Sequence, residues 1–330
     1  MPLHQVIQRL LLLGIHLEPL QTARLSKPPQ RLEPVITAIE TEHRRFDERA
    51  VRFGNRYRSG FWAIYLLSAL AVLCAAVPLA LGWDSPAWAV GEVIIIGTVS
   101  AIYWWGHLRD WQGEWLRAKS TAELTWYLPL LTPLLDFSKP ADEANWYVRA
   151  FDPGQHLQTV DDVAILCARI EPLAREQVAN AWADAAFVAS YAQWTQDILE
   201  LQRRYHHEIA ARQHALVHRV HAINASLFGL AALAAILQLM LHTLWLSLVM
   251  TFFPALGASL HGALAQSEAY RLGITSERLT RKLERARRNI QSAVAEQTTE
   301  NNTAALKVAI ESALALILSD SEEAMQLDEI

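Results

Sequence analysis

From Gly60 to Trp83 the chain reads GFWAIYLLSALAVLCAAVPLALGW, without a charged side chain. No other feature restricts the fold so strongly. A helix over this stretch covers about 36 Å at ~1.5 Å per residue, more than the roughly 30 Å hydrocarbon core of a bilayer. Pro78 stands near its far end, where a membrane span tolerates it. After the break Asp84-Ser85-Pro86, a second apolar stretch runs from Pro86 to Gly106, interrupted only by Glu92. Trp88 at one edge and Tyr103, Trp104 and Trp105 at the other are spaced as interfacial belts. The two stretches predict a helical hairpin that crosses a membrane.

A second pair lies further on, at Asn224–Leu241 and Thr243–His261, with only His242 and its neighbours left to form the turn. A buried hairpin in a soluble domain is the competing reading. The absence of Lys, Arg, Asp and Glu across both segments favours membrane spans.

Arginines orient both pairs alike. Arg44, Arg45, Arg49, Arg52, Arg56 and Arg58 precede the first span, and Arg109, Arg117 and Lys119 follow the second. Arg203, Arg204, Arg212 and Arg219 precede the third, and Arg271, Arg278, Arg281 and Lys282 follow the fourth. Neither turn holds a lysine or arginine. The positive-inside rule then places both termini and the central region in the cytoplasm.

The expected organisation is an all-α integral membrane protein with long cytoplasmic helical extensions. A cytoplasmic N-terminal segment spans 1–59 and the first hairpin 60–106. A cytoplasmic helical region spans 107–222, the second hairpin 223–262, and C-terminal cytoplasmic helices 263–330. Arg9 followed by Leu10 to Leu13 has the order of a signal peptide, but the run is too short and lacks a small-residue cleavage site. It is read as an amphipathic cytoplasmic helix, with the first span as the insertion signal.

Arg175 to His221 has neither proline nor glycine and predicts one helix leading into the third span. Another is expected to continue from the fourth span towards Ile290. Leu130–Pro172 reads as loops with short helices. Glu296–Thr303 reads as a polar linker, followed by an apolar helix at Ala304–Leu318 and an acidic end.

Tyr57-Arg58-Ser59-Gly60 ahead of the first hairpin, with Trp111, Trp115, Arg117, Ala122 and Glu123 after it, resembles the SLATT effectors. These are bacterial membrane modules associated with SMODS nucleotide synthases and SLOG sensors. Gln202, Tyr205 and His206, then Pro254 to Ala258, then Ser276, Glu277 and Leu283 are similar to their longer four-span relatives. The resemblance covers Pro34 to Asn289. It implies a pore-forming or membrane-damaging role in phage defence, beside a sensor or nucleotide-signal synthase encoded nearby. No fused sensor domain is recognisable, so the trigger is expected to act through another subunit.

Glu92 is the sharpest candidate site residue. A carboxylate inside a span is costly and suits a cation-favouring path. About two turns from the external end, it also has the reach to snorkel to water. Thr98, Ser100, Gln238 and Ser259 are candidate pore-facing polar groups, although each can equally bond a backbone carbonyl within a bundle. Pro254 and Gly257 are candidate kink or close-packing positions.

His207, His214, His218 and His221 share a juxtamembrane helix face. They form either a solvated or packed surface or a pH-responsive switch; His214 and His218 alone have the spacing of a metal pair. No phosphate-binding loop, nucleophile elbow or HExxH is present. No catalytic residue, cofactor or metal is therefore assigned. Cys74 and Cys167 are read as unpaired thiols. The net charge of −5 gives no reason to expect nucleic acid. Expected partners are the lipid bilayer and further copies of the chain. A membrane scaffold that recruits a cytoplasmic partner, or an uncharacterised transporter or channel, is the alternative.

Overall fold

The computed structural model describes residues 1–13, 26–83, 85–134, 157–178, 180–267, 269–300 and 303–326. Among them the chain is helical, without a β-strand. The helices are α1 (Leu3–Leu11), α2 (Glu33–Leu81), α3 (Pro86–Leu108), α4 (Trp111–Leu131) and α5 (Leu157–Val178). They continue as α6 (Ala185–Leu241), α7 (Leu244–Gln266), α8 (Ala269–Glu300) and α9 (Thr303–Gln326). Four helical stretches are long and apolar enough to cross a membrane, containing α2, α3, α6 and the segment from Leu244 to Glu296.

Local chemistry explains where these helices stop. Gly82 adopts φ +65° after α2, and the Trp83 N–H bonds the Pro78 carbonyl at 3.1 Å, the six-to-one closure of a Schellman cap. Ser85 caps α3 by accepting the Ala87 N–H, with Pro86 in the first turn. Asp84, the only charge in that turn, lies outside the described residues. Asp110 at φ 43° separates α3 from α4, and His242 at φ 49° separates α6 from α7. The turn expected at His242 is where it was placed.

Several boundaries differ from the sequence reading. The helix expected from Arg175 is interrupted between α5 and α6. Asn180 takes a left-handed conformation at φ 59°, and the Asp184 carboxylate accepts the N–H groups of Ala186 and Phe187 to start α6 afresh. Asparagine and aspartate make such breaks without glycine or proline, because their short side chains bond nearby backbone. The fourth apolar segment likewise ends at Gln266 before α8 begins. Leu157–Pro172 belongs to one helix, α5, not to short helices among loops. Its residues Leu166, Cys167, Ile170 and Ala174 are buried against Val35, Ile39 and Leu128. Residues 135–156, read as loops, lie outside the description. The linker expected at Glu296–Thr303 shrinks, since α8 continues to Glu300 and α9 starts at Thr303. The acidic side chains at the end of the chain are outside the described set.

The chain forms two compact units. The first comprises 1–17, 53–112 and 209–274, and the second 18–52, 113–208 and 275–330. In the first, fully buried Trp62 of α2 packs among Leu216 and Val220 of α6 and Leu260, Ala263 and Leu264 of α7. Helices α2 and α7 approach closely at Gly262, where an added Cβ would collide with the Tyr65 ring. Trp111 is wedged in the same manner against Gly60 and Gly106. Small residues allow backbones this near, which strengthens dispersion contacts between helices.

The second unit has the larger apolar core. Tyr191 and Leu199 of α6, Leu283 and Ile290 of α8, and Leu306, Ile310 and Leu314 of α9 are all essentially inaccessible. The Tyr191 hydroxyl donates to the Leu130 carbonyl, and the Trp182 indole donates to the Pro133 carbonyl at 2.6 Å. These bonds satisfy polar groups that burial would otherwise penalise.

Overpacking at the Gly262 contact provides a test. Gly262→Val should destabilise the detergent-solubilised protein by about 1–3 kcal/mol, because the added branch meets the Tyr65 ring. Adding Tyr65→Ala should recover part of that loss, as contacting positions couple. Thermal unfolding followed by circular dichroism measures both; equal melting of Gly262→Val and wild type would refute the contact.

Candidate functional site

Among the candidate residues of the second apolar pair, Gly257 stands at a close helix contact inside the first unit. Gly257 of α7 is buried, and a Cβ built there would lie 3.2 Å from Phe228 and 3.4 Å from the Asn224 side-chain oxygen on α6. Ser259, two residues further along α7, is also buried. Pro254 is within α7, which remains helical through it. The Asn224 and Gln238 carbonyl oxygens are both buried without a hydrogen-bond partner. An unpaired carbonyl oxygen in apolar surroundings costs more than in water, and it seeks a donor from a neighbouring helix, a second subunit or water.

The first pair behaves differently. Glu92, Thr98 and Ser100 are on α3, which has no buried residue. Glu92 is half-buried, while Thr98 and Ser100 are exposed. The Thr98 hydroxyl turns back to the Ile94 carbonyl at 2.8 Å. These three side chains are therefore not gathered with Gly257 and Ser259 into an enclosed path within one chain.

The histidine face is likewise divided. His207, His218 and His221 are exposed, and His214 is half-buried beside Gly273. His221 pairs loosely with His261 of α7, ring centres 6.0 Å apart. Among the described residues no group of three or more His, Cys, Asp or Glu is arranged to hold a metal ion. Both cysteines are free, and burial pushes the Cys167 thiol up to about 12, which keeps it in its unreactive protonated form.

A half-open cavity of 420 Å³ lies in the first unit between α2 and the α3–α4 junction. Tyr57, Phe61, Tyr103, Asp110 and Trp111 line it together with Gln266, whose amide donates to the Tyr57 hydroxyl at 3.4 Å.

Two polar features escaped sequence reasoning. In the first unit, His4 of α1 is buried and its Nδ1 stands 3.0 Å from the Ser59 hydroxyl. Burial, helped by the Arg58 charge, lowers its pKa to about 4, so the ring is neutral at physiological pH.

In the second unit, α6 and α8 exchange ion pairs. Glu200 accepts two bonds from Arg203 at 2.8 Å and one from Arg204 at 2.7 Å. Glu284 accepts from Arg287 at 3.3 Å and faces Arg203 at 3.5 Å, while Arg287 approaches Glu200 at 3.8 Å. Hydrogen bonds from Arg203 and Arg204, with their charges, hold the Glu200 carboxyl at about 2. A repeated spacing was the available signal. Glu200-Leu201-Gln202-Arg203-Arg204 and Glu284-Arg285-Ala286-Arg287-Arg288 each place arginines three and four residues after a glutamate. Only the fold shows that the two copies face each other.

Compared with protein-family models, curated proteins and solved structures, the chain matches none.

The Glu200 cluster predicts a pH response. A carboxyl whose folded pKa lies below its unfolded value stabilises the fold above the unfolded pKa and loses that contribution as pH falls towards the folded one. The contribution should therefore disappear between about pH 4.5 and 2. Glu200→Gln should lower stability at pH 7 by on the order of 1 kcal/mol and flatten this acid limb. Unfolding midpoints measured across pH for both proteins test it; superimposable curves would remove the cluster from the stability account.

Proposed function

We propose that this chain is an integral membrane effector of a bacterial anti-phage or conflict system, which oligomerises and permeabilises or depolarises the inner membrane when a partner sensor or nucleotide signal triggers it. The observation that carries the membrane part is α3. It has no buried residue, and Val93, Ile94 and Trp104 are 69%, 62% and 63% exposed. An apolar surface of this kind is unfavourable in water and favourable in lipid. Phe228, Leu233, Ile236, Leu239 and Met240 on α6 present a similar surface.

Short turns support the two-hairpin arrangement, since α2 ends at Leu81 with α3 starting at Pro86, and α6 ends at Leu241 with α7 starting at Leu244. The arginines flanking each pair support cytoplasmic termini. The effector role rests on the SLATT-like residues around the two pairs. The unpaired side-chain oxygens of Asn224 and Gln238 support assembly with further copies, because an intermolecular donor would satisfy them. In such an assembly Glu92 biases a path towards cations.

Induced expression with a membrane-potential dye tests the proposal, with and without the neighbouring gene. Depolarisation should require the trigger. A triggered wild-type protein that neither conducts in bilayers nor depolarises cells would defeat the effector reading. Topology is tested separately by reporter fusions. Those after Arg58, Lys119, Arg175 and Lys282 should report cytoplasm and one at Asp84 periplasm; a periplasmic signal at Arg175 would defeat the two-hairpin arrangement. Glu92→Gln should preserve expression and oligomeric state while shifting the reversal potential under a salt gradient towards zero.

A further inference from the structure

Helix α1 has more apolar surface than its packing within the chain uses. At about 100° per residue, a short helix sorts its side chains into arcs. His4, Ile7 and Leu11 occupy one arc: His4 is buried, and Ile7 and Leu11 pack against the Trp62 cluster of the first unit. Leu3, Val6 and Leu10 occupy the adjoining arc and are exposed, Leu10 by 60%. Leu13, just past the helix, is 63% exposed. Gln5, Gln8 and Arg9 fill the third, polar arc. The apolar surface thus covers about half the circumference, and the protein takes up only one part of it.

The attachments of α1 say what covers the remainder. Its first turn is held where His4 meets Ser59, the residue before Gly60 and the first apolar stretch. Beyond its last turn, the Leu13 carbonyl accepts from Arg219, five residues before Asn224 and the third apolar stretch. Both ends of α1 are therefore tied to the arginine-rich margins of segments read as membrane spans. A helix at that level, with a wide apolar arc and a polar arc carrying Arg9, has the division of an interfacial helix.

We propose that α1 lies in the cytoplasmic leaflet of the bilayer, with Leu3, Val6, Leu10 and Leu13 among the upper acyl chains and Gln5, Gln8 and Arg9 at the headgroups. This rests on the membrane reading of the spans. It adds a lipid-contacting element outside them, fastened to the core in which Trp62, Val220 and Leu260 from three helices meet. A change in leaflet packing would act directly on that core through Ile7 and Leu11.

The test uses the full-length protein in lipid nanodiscs, with Cys74→Ala and Cys167→Ala as background. Single replacements Leu10→Cys, Gln5→Cys and Val93→Cys each carry an environment-sensitive fluorophore. The Leu10 label should be quenched by lipids spin-labelled high on the acyl chain and several-fold less by aqueous iodide than the Gln5 label. The Val93 label, on α3, should be quenched by lipid spin labels whatever α1 does. Lipid quenching at Val93 with free iodide access at Leu10 overturns the interfacial assignment and leaves the membrane reading intact. No lipid quenching at Val93 overturns both. A Leu10 label shielded from lipid and iodide alike, with Leu10→Cys forming disulfide-linked dimers, assigns the face to a second copy and also overturns the proposal.

Discussion

The backbone hydrogen bond is the interaction on which the rest of this structure depends. Each apolar segment carries a peptide N–H and C=O at nearly every residue, and its side chains offer them few partners. A helix satisfies these groups internally, so a long uncharged segment can present its side chains to an apolar environment without exposing unpaired backbone. Helix α3 is the extreme case, since it retains a regular helix over Pro86–Leu108 although no residue in it is buried. Its order comes from local bonding and its end caps, while packing contributes little.

Where helices do pack in the first unit, contacts rest on size differences. Tyr65 fits against Gly262, Trp111 against Gly60 and Gly106, and Phe228 against Gly257. Each pairs a large aromatic ring with a glycine, which lets backbones approach and replaces the hydrophobic driving force that lipid would remove. The second unit is built around a larger apolar helical core. It buries leucine and isoleucine from α6, α8 and α9, and its partly exposed faces carry ion pairs such as Arg31–Asp184, Arg169–Glu42 and the Glu200 cluster. The chain thus combines two packing chemistries, and α2 and α6 each contribute residues to both units.

The candidate pore residues all belong to the first unit, and they differ in burial. Gly257 and Ser259 are buried and the Gln238 side-chain oxygen is inaccessible, whereas Thr98 and Ser100 belong to an exposed helix. A conducting path that used all of them would need surfaces from more than one copy. In the proposed effector, assembly is therefore part of how the path forms, and the single chain supplies walls without an enclosed pore.

The sequence by itself determined the helical class, the four apolar stretches and the turn at His242, because hydrophobic length and local dihedral preference act over a few neighbouring residues; the left-handed Gly82 that ends α2 lay inside the first stretch as read. It also indicated an amphipathic helix near Arg9, although the helix that forms, Leu3–Leu11, begins ahead of the leucine run. It did not mark the break at Asn180, since asparagine in a left-handed conformation leaves no pattern that differs from asparagine within a helix. Nor could it join His4 to Ser59, Gly262 to Tyr65, or the two Glu-x-x-Arg-Arg stretches to each other. Those pairings depend on which helix faces meet, a choice made by shape and charge between segments up to about two hundred residues apart, and only tertiary packing decides it.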